Sequence, residues 1–275
     1  MTIRDALRDA SAQLSAAGVD TPLHDASEML AHLLRENALM MRMNGHRELD
    51  GDVQARYAAM IARRVKREPM QYILGTAAFM GLELHVEPGV LCPRPDTEIL
   101  CEEALRHIRP ESRVLDIGTG SGALAVAMAK HGECSVTAAD VSDTALRVAA
   151  GNAAANGVNV RFVKSDCFSA LAGETFDVIV SNPPYISAQE MKELMPEVLQ
   201  EPELALYGGE DGLDFYRRIS QEAGAYLAPG GVLLFEIGWL QKDAVSDLLE
   251  QHIGKPHALK DYGGNWRVVY AQKEN

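Results

Sequence analysis

The sequence predicts a doubly wound α/β sheet preceded by a small helical domain, and three observations lead to this fold class. From about residue 96 onward, short apolar runs alternate with segments of helical length. A glycine-rich turn at residues 118–122 joins the first apolar run to the segment after it. Residues 1–70, in contrast, place apolar residues at helical spacing. Strand–helix alternation is typical of a sheet with helices on both faces.

Length and composition are those of an ordinary globular protein. The 275 residues allow one large domain or two unequal ones. Hydrophobic residues make up 47% and charged residues 24%, which excludes a largely disordered or fibrous chain. No apolar run approaches the ~18–20 residues of a membrane-spanning helix. Asp5 and Asp9 stand where a signal peptide needs apolar residues. We therefore expect a cytoplasmic protein with no membrane partner.

The first 70 residues are predicted to form a helical bundle. Apolar residues recur at helical spacing after Thr2, which can act as an N-cap, and Thr21-Pro22 has the form of a second helix start. A later helix, with apolar positions from Val53 to Val65, is expected to end near Pro69. The basic run at residues 63–67 is interpreted as a solvated helix face, with contact to an acidic partner as the alternative.

Residues 71–92 are predicted to form a β-hairpin linker. Leu82, Leu84 and Val86 alternate with polar residues, which is a strand pattern, and Gly81 and Pro88 interrupt it. The chain thus divides into a helical domain at 1–70, the linker at 71–92 and an α/β domain at 93–275. In that domain, strands are expected at residues 114–117, 135–139, 160–163, 176–180, 232–237 and 268–270, and helices at 123–130 and 143–155.

The glycine-rich turn predicts a ligand site. Glycine lets the backbone turn sharply, so that a ligand can lie against bare amides. The residues proposed to bind a cofactor here are Gly118, Thr119, Gly120, Ser121 and Gly122. The pattern also satisfies the relaxed dinucleotide fingerprint, and a glycine turn that packs without any ligand is the plainer alternative.

Acidic residues at two successive strand ends extend this site. Asp140 can accept both ribose hydroxyls of a nucleoside. Asp166 can accept an adenine amino proton, with Cys167 and Phe168 flanking the ring. For each acid, a helix N-cap is the alternative. Asp116 beside the glycine turn crowds a pyrophosphate but suits the cationic sulfonium and ammonium of S-adenosyl-L-methionine. The pattern therefore favours the methyl donor over NAD.

An Asn-Pro-Pro-Tyr tetrapeptide, residues 182–185, follows the strand at 176–180 and is the predicted catalytic and substrate-binding element. Proline lacks an N–H, so the loop is stiff and leaves carbonyl groups unpaired. The Asn182 side-chain oxygen and the Pro183 carbonyl are two fixed acceptors that match a planar NH2 group, while Pro184 and Tyr185 shape its surroundings. A rigid proline turn is the alternative.

Two acceptors at such a site suit methyl transfer to an amide or aromatic amine. The nitrogen is a poor nucleophile because its lone pair is delocalised. Acceptors on its protons raise the electron density on nitrogen, and alignment with the donor methyl adds a proximity effect. The methylated nitrogen is acidic and loses its proton easily, so no His or Lys is required.

The order of these motifs resembles the amino-group methyltransferases that use S-adenosylmethionine, which include adenine and cytosine methylases. Further stretches are similar to one branch, the peptide chain release factor glutamine methyltransferases (the HemK/PrmC family). These stretches are PMQYILG at 69–75, LCPRPDTE at 91–98, residues 201–213, EIG at 236–238 and DYGG at 261–264 with Arg267. The likeness spans about residues 69–269. One departure is Cys167, which stands where the family often has a bulky aromatic residue.

This resemblance implies a Rossmann-like class I methyltransferase sheet and a specific reaction. The substrate would be the glutamine side-chain amide in the Gly-Gly-Gln motif of class I release factors. The products would be N5-methylglutamine and S-adenosylhomocysteine. Thr97 and Glu98 would close over the methionine end of the donor, and Asn182 would also contact it. The N-terminal helices would grip the release factor, and a monomer is expected.

Charge separates the rival functions. Residues 1–75 have no net charge, and residues 76–275 carry the whole −13. An adenine or cytosine methyltransferase on DNA or RNA needs a basic groove, so direct nucleic-acid binding is not expected. An NAD-dependent dehydrogenase leaves residues 182–185 without a role. A non-catalytic module that retains the donor is a third alternative.

Arg94 is either a charge that faces a partner or a salt-bridged structural residue.

No metal site is expected. The four cysteines, Cys92, Cys101, Cys134 and Cys167, form no CxxC pair, and the eight histidines form no HExxH or HxH cluster. This spacing argues against both a structural zinc site and a disulfide framework.

Overall fold

The computed structural model describes residues 1–274, and the chain forms two compact units. The helical unit contains Met1–Gly75 together with Met195–Gln200. The α/β unit contains Thr76–Leu194 and the chain from Glu201 onward. The assignment of recognition, linker and catalytic roles to residues 1–70, 71–92 and 93–275 stays a prediction. Among the described helices, none has both the length and the apolar character that crossing a membrane requires.

The helical unit packs its helices around one apolar core, as predicted. Its helices are α1 (Ile3–Ala16), α2 (Pro22–Leu34), α3 (Ala38–Met43), α4 (Gly51–Val65) and α5 (Met70–Leu74). Ile3, Leu14, Met29 and Leu30 are fully buried in its core. The Thr2 hydroxyl accepts the Asp5 N–H at 3.2 Å, which confirms the predicted N-cap. The short helix α5 was not predicted.

The basic run at residues 63–67 is not simply a solvated face, so that interpretation was wrong. Arg64 is buried, with its Nε 2.8 Å from Asp25 Oδ2 and its Nη2 3.0 Å from Glu197 Oε1. Arg67 also pairs with Glu197, through Nε at 2.9 Å. Arg64 lies on the inward side of α4, where carboxylates from α2 and from the 195–200 segment neutralise it. A buried arginine is tolerated when its charge is paired in this way.

The predicted hairpin is present. Strands β1 (Thr76–Phe79) and β2 (Leu82–His85) pair antiparallel. Met80 and Gly81 form the two-residue turn with φ values of 49° and 75°, which suits the twist of a tight hairpin. Phe79 and Leu84 are buried in a core cluster of the α/β unit. The hairpin is thereby fixed to the sheet domain by its apolar face.

The α/β unit is built on a seven-stranded sheet with the strand order β5-β4-β3-β6-β7-β9-β8. The strands are β3 (Arg113–Ile117), β4 (Ser135–Asp140), β5 (Val160–Lys164), β6 (Phe176–Ser181), β7 (Leu227–Glu236), β8 (Pro256–Lys260) and β9 (Trp266–Gln272). Strands β3 to β7 run parallel, and β9 is antiparallel to β7 and β8. After β3, the chain adds β4 and β5 on one side of β3 and then crosses to place β6 on the other side. The topological switch point therefore lies between β3 and β6.

Helices complete the doubly wound fold. They are α6 (Thr97–His107), α7 (Ala123–His131), α8 (Asp143–Ala155), α9 (Asp214–Tyr226) and α10 (Lys242–His252). Val114 and Val178 belong to one core cluster, whereas their neighbours Leu115 and Ile179 belong to another. Side chains alternate between the faces of a strand, so both faces of the sheet are covered. The predicted fold class is confirmed, although α6, α9, α10 and β8 were not predicted.

Candidate active site

The parallel register brings the predicted residues to one edge of the sheet. Ser181 of β6 pairs with Ile117 on one side and with Phe235 on the other. The residues in the next row of the neighbouring strands β4, β3, β6 and β7 are Asp140, Gly118, Asn182 and Glu236. In open α/β sheets, the ligand crevice lies at the carboxyl ends of the strands beside a switch point. The glycine turn and the Asn-Pro-Pro-Tyr loop therefore meet at that crevice.

A cavity at this edge is lined by most of the residues that the sequence singled out. Those residues are Thr97, Gly118, Thr119, Gly120, Ser121, Asp140, Asp166, Cys167, Asn182, Pro183 and Pro184. Apolar parts of the wall come from Val90, Leu91, Leu124, Leu204 and Phe215. Two predicted site residues, Gly122 and Tyr185, are not among the residues that line it. The cavity thus combines apolar walls with a few placed polar groups, which is the usual make-up of a small-molecule site.

The glycines of the turn serve two different purposes. Gly118, Gly120 and Gly122 have φ values of 72°, 55° and 83°, which favour glycine. At Gly122, an added Cβ would lie 2.8 Å from the Cβ of Ala149 in α8. At Gly118 and Gly120, nothing lies within 4 Å of that position. The structure therefore assigns Gly122 to helix packing, and it leaves the backbone of the other two open to the cavity.

Asp140 is held in place by main-chain donors. Its Oδ2 accepts the Gly120 N–H and its Oδ1 accepts the Ser142 N–H, both at 2.9 Å. An ionised carboxylate offers about four lone-pair sites, so capacity remains for two further donors. The arrangement fits the paired hydroxyls of a ribose.

Asp116 lies beneath the glycine turn. Its side chain is 1% exposed, and its Oδ2 accepts the Thr119 hydroxyl at 2.6 Å. Its Oδ1 is buried and has no hydrogen-bond partner among the described residues. Burial raises the pKa of Asp116 to about 7, and the nearby Asp140 adds to the shift. A cation bound nearby would favour the ionised form, so the site fits the positively charged S-adenosylmethionine.

The strand end at Asp166 differs in part from the prediction. Asp166 and Cys167 line the cavity, and the Asp166 carboxylate accepts a hydrogen bond from Arg218 Nη1 at 2.6 Å. Phe168 is fully buried and stacks on Tyr226 with a centroid distance of 4.3 Å. Phe168 therefore belongs to the core and does not flank a ring in the cavity. The Cys167 backbone has φ 48°, and the chain turns inward there.

The Asn-Pro-Pro-Tyr loop presents two acceptors. Asn182 Nδ2 donates to the Thr97 hydroxyl at 3.3 Å. Within the part of the chain that the structure describes, no donor is paired with Asn182 Oδ1 or with the Pro183 carbonyl oxygen. Both residues line the cavity. This is the acceptor pair that the sequence predicts for a planar NH2 group.

Two glycines support this loop from behind. An added Cβ at Gly208 would lie 2.8 Å from Tyr185 Cα, and one at Gly212 would lie 2.7 Å from Gln241 Nε2. Gln241 Nε2 in turn donates to the Tyr185 carbonyl oxygen at 2.9 Å. The glycine-rich segment at 208–212 is thus required for close packing against the Asn-Pro-Pro-Tyr loop. Sequence reasoning had noted this segment without a physical role.

Tyr185 faces a second hollow rather than the main cavity. Trp239, Leu240 and Arg267 are among the other residues that line this hollow. Burial raises the pKa of the Tyr185 hydroxyl well above its ordinary value. The phenol therefore stays neutral, and Tyr185 can act as a flat surface or a hydrogen-bond donor but not as a base.

Glu236 lies in the strand expected at 232–237, and sequence reasoning assigned it no role in the site. The side chain is 1% exposed, and burial raises the pKa of Glu236 to about 7. The nearby side-chain donors Thr97 and Asn182 lower that pKa in part. Its Oε2 has no partner among the described residues. The EIG stretch at the end of β7 was the available signal, because that strand ends beside Asn182.

Two other motif residues have structural partners. Arg94 is salt-bridged to the buried Glu201, whose Oε2 also accepts the Cys92 N–H at 2.9 Å. The salt bridge expected in the second alternative is thus present, and Arg94 also lines the cavity. Glu98 accepts the Met80 N–H of the hairpin at 2.6 Å and does not line the cavity. Glu98 therefore does not close over a ligand there, whereas Thr97 does line the cavity.

Within residues 1–274, no group of three or more His, Cys, Asp or Glu side chains is placed to hold a metal ion.

Family models match both parts of the chain. The model described as the PrmC N-terminal domain matches residues 5–75. The model described as the methyltransferase small domain matches residues 82–269. Together they cover the helical region and nearly all of the α/β region.

Curated relatives and solved structures are similar to the chain, and they include two release factor glutamine methyltransferases and one rRNA methyltransferase. The release factor glutamine methyltransferase of Cereibacter sphaeroides is 44% identical, with 99% of each chain covered. That of Deinococcus radiodurans is 43% identical, again with 99% of each chain covered. The 16S rRNA N2 G1207 methyltransferase of Thermus thermophilus, solved with AdoMet and guanosine, is 25% identical with a TM-score of 0.53. That match covers 72% of this chain and 50% of the other.

Proposed function

The chain belongs to the release factor glutamine methyltransferase family, and on this premise we propose that it methylates the glutamine of the Gly-Gly-Gln motif in class I peptide chain release factors. The enzyme is an S-adenosylmethionine-dependent protein-glutamine N-methyltransferase, and S-adenosylhomocysteine is the second product. The methyl group goes to the side-chain amide nitrogen N5. The dehydrogenase, the nucleic-acid methyltransferase and the non-catalytic module are not favoured.

The observation that carries this proposal is the unpaired acceptor couple of Asn182 Oδ1 and the Pro183 carbonyl at the cavity wall. A primary amide carries two N–H donors in one plane. Two acceptors fixed on a stiff loop bind both donors and thereby fix the plane of the amide. A carboxamide side chain fits this couple, whereas a hydroxyl group offers one donor.

The donor is placed by the other side of the cavity. With S-adenosylmethionine bound, Asp140 would accept the ribose hydroxyls, the open backbone at Gly118 and Gly120 would face the methionine part, and Asp166 and Cys167 would border the adenine. Thr97 lines the cavity and hydrogen-bonds to Asn182, so it lies where the methyl donor would meet the acceptor pair of Asn182 and Pro183. Gly122 and Tyr185 support these groups without lining the cavity. S-adenosylmethionine supplies the electrophilic methyl group when it is bound.

The protein overcomes the weak nucleophilicity of the amide through position and hydrogen bonding. Asn182 Oδ1 and the Pro183 carbonyl oxygen accept hydrogen bonds from the two amide N–H groups. These hydrogen bonds raise the electron density on nitrogen and favour a pyramidal geometry. Holding the nitrogen in line with the methyl group adds the proximity effect. The methylated nitrogen then releases one proton, since a cationic amide nitrogen is strongly acidic. No side chain with an unusual basicity is needed.

The helical unit is proposed to recognise the release factor away from the chemistry. Residues 1–75 carry no net charge, whereas the remainder carries −13, and this balance suits a protein substrate better than a polynucleotide. We propose that the enzyme acts as a monomer in the cytoplasm without direct nucleic-acid binding. A DNA or RNA substrate would require a basic groove, and the net charge of −13 on residues 76–275 disfavours one there.

The test is transfer of labelled methyl from S-adenosylmethionine to a purified, unmethylated release factor. A Gln→Ala variant of its Gly-Gly-Gln motif and a mixture of DNA and RNA serve as controls. We expect label on the wild-type factor alone. Label on the Gln→Ala variant would show that another residue is the target, and label on nucleic acid would contradict the proposed substrate class.

A further inference from the structure

The orientation of the Asn182 amide decides whether its acceptor faces the substrate. The two ends of an asparagine side chain have almost the same shape, but one end accepts hydrogen bonds and the other donates them. The substrate NH2 group needs an acceptor. A flipped Asn182 would present its own NH2 to the substrate NH2, and both would be donors. The protein must therefore fix which end of the Asn182 side chain faces the substrate and which faces the protein interior.

Thr97 by itself cannot specify this. Its hydroxyl lies 3.3 Å from Asn182 Nδ2 and can either accept from an NH2 group or donate to a carbonyl. The direction of this hydrogen bond depends on what else holds the hydroxyl proton. Thr97 is buried at the start of α6, so solvent does not decide the matter.

Glu236 supplies the missing direction. It ends β7, directly beside the strand that leads into Asn182, and Thr97 and Asn182 are the side-chain donors close enough to its carboxylate to lower its pKa. An ionised carboxylate is an acceptor and never a donor. It therefore draws the Thr97 hydroxyl proton toward itself, which leaves the Thr97 lone pairs to face Asn182. Asn182 must then turn its NH2 inward.

We propose that Glu236 is a positioning residue for methyl transfer: its carboxylate fixes the hydrogen-bond direction through Thr97 and holds Asn182 Oδ1 toward the substrate amide. The proposal rests on the acceptor role given to Asn182 above. It explains why a carboxylate is kept at a position that is 1% exposed, where an apolar residue would pack at lower cost. The unpartnered Oε2 is a further cost, and such costs persist mainly at functional sites.

Several charged or titratable groups face Glu236 and set its ionisation. Arg267 of β9 favours the ionised form, and Asp96, before α6, opposes it. Tyr185 and Tyr216 also interact with it, and the Tyr216 hydroxyl donates to the Glu236 main-chain carbonyl at 2.8 Å. Burial is the largest influence and raises the pKa of Glu236 to about 7.

The test is Glu236→Gln in the full-length enzyme. Glutamine has the same shape, but its Nε2 can donate to Thr97 and so permit Asn182 to flip. At saturating donor and at about pH 8, we expect the single-turnover rate to fall by about tenfold or more, with the Kd for S-adenosylhomocysteine changed by less than about twofold.

Stability separates positioning from a merely structural role. The folded-state pKa of Glu236 lies above that of an unfolded glutamate, so the stability contributed by the protonated form is lost as pH rises through about 7. A neutral glutamine avoids this loss. The Tm of Glu236→Gln at about pH 8 should therefore equal or exceed that of the wild type, although the rate is lower. A Tm that falls together with the rate would overturn the proposal.

The pH profile gives a second readout. The wild-type single-turnover rate should rise as pH increases through about 7, because a protonated Glu236 can also donate to Thr97 and then no longer fixes the direction of the hydrogen bond. Glu236→Gln should lose this part of the profile. An unchanged profile in the variant would contradict the proposal.

Matched variants complete the design. Glu103→Gln changes another buried glutamate, which pairs with Arg106 and His107 on α6, and it should leave the rate unchanged. Thr97→Val removes the hydroxyl and should lower the rate much more than Thr97→Ser, which keeps it. A wild-type enzyme that labels no release factor would refute the proposed function. An active wild type with an equally active Glu236→Gln variant would refute this inference alone.

Discussion

The two sides of the cavity hold their polar groups in different ways. On the β3–β4 side, both carboxylate oxygens of Asp140 accept main-chain amides, those of Gly120 and Ser142, although the buried Asp116 keeps one oxygen without a partner among the described residues. On the β6–β7 side, Asn182 Oδ1 has no hydrogen-bond donor among the described residues, and one oxygen of the buried Glu236 carboxylate also lacks a partner among them. The β3–β4 side can bind the methyl donor without rearrangement. The second keeps unmet hydrogen-bonding capacity, which a substrate amide can use during reaction.

The largest expected effect tests the β6–β7 side. Asn182→Ala removes one of the two acceptors, and we expect the single-turnover rate to fall by about 10²–10³-fold, as for loss of one oriented polar group in other active sites. Isothermal titration should show nearly unchanged binding of S-adenosylhomocysteine. Asn156→Ala, on the hairpin side of α8, is the control and should keep the wild-type rate. Full activity of Asn182→Ala would refute its acceptor role.

The next effect tests the packing beneath the β3–β4 side. Gly122→Ala places a methyl group 2.8 Å from the Ala149 Cβ at a backbone φ of 83°. We expect a loss of about 2–3 kcal/mol in the free energy of unfolding, from overpacking plus backbone strain.

Gly157→Ala is the matched control for this change. It has φ 67° but nothing within 4 Å of the added methyl group, so its loss should be about 1 kcal/mol. Denaturant unfolding measures both variants. Equal losses would show that the contact with Ala149 does not matter.

A smaller effect tests donor binding. Asp140→Asn keeps the size of the side chain but replaces an acceptor oxygen with a donor NH2. We expect the Kd for the donor to rise by about tenfold, while the single-turnover rate at saturating donor stays close to that of the wild type. Asp143→Asn, on the exposed carboxylate that pairs with Lys164, is the control. An unchanged Kd for Asp140→Asn would remove the ribose role.

The smallest effect concerns Asp116. Because its pKa is about 7, a cationic donor should bind more tightly as pH rises from about 6 to 7.5, by about threefold. Asp116→Asn should abolish this dependence, and Asp177→Asn, at an exposed strand position, should not. Titration of the donor at several pH values measures it. A dependence that persists in Asp116→Asn would assign the titration to another group.

Much of the fold followed from local patterns. The sheet strands at 114–117, 135–139 and 176–180 are short apolar runs bounded by turns, and the structure confirms them as β3, β4 and β6. Strand β8 was missed because only two residues of its sequence, PHALK, are hydrophobic, and it forms one edge of the sheet. Helix α6 was missed because it begins inside the Pro-Arg-Pro-Asp-Thr-Glu stretch, where proline suggests a loop.

The candidate site shows the same division. Gly118, Asp140 and Asn182 could be found because each residue follows a predicted strand. Phe168 was misplaced because its adjacency to Asp166 gives no information about which way the chain turns at Cys167. Arg64 was misjudged because its partners, Asp25 and Glu197, are distant in sequence.

The sequence by itself determined which strands exist, which turns follow them and which polar groups those turns carry, because these depend on local spacing and on glycine and proline. Tertiary structure decided which strand ends are neighbours, and so it placed Glu236 beside Asn182 and Thr97. It also decided that Gly122 contacts Ala149 and that Arg64 is paired. These facts depend on contacts between residues far apart in the chain, and on burial, which converts a commonplace glutamate into a carboxylate with a pKa of about 7.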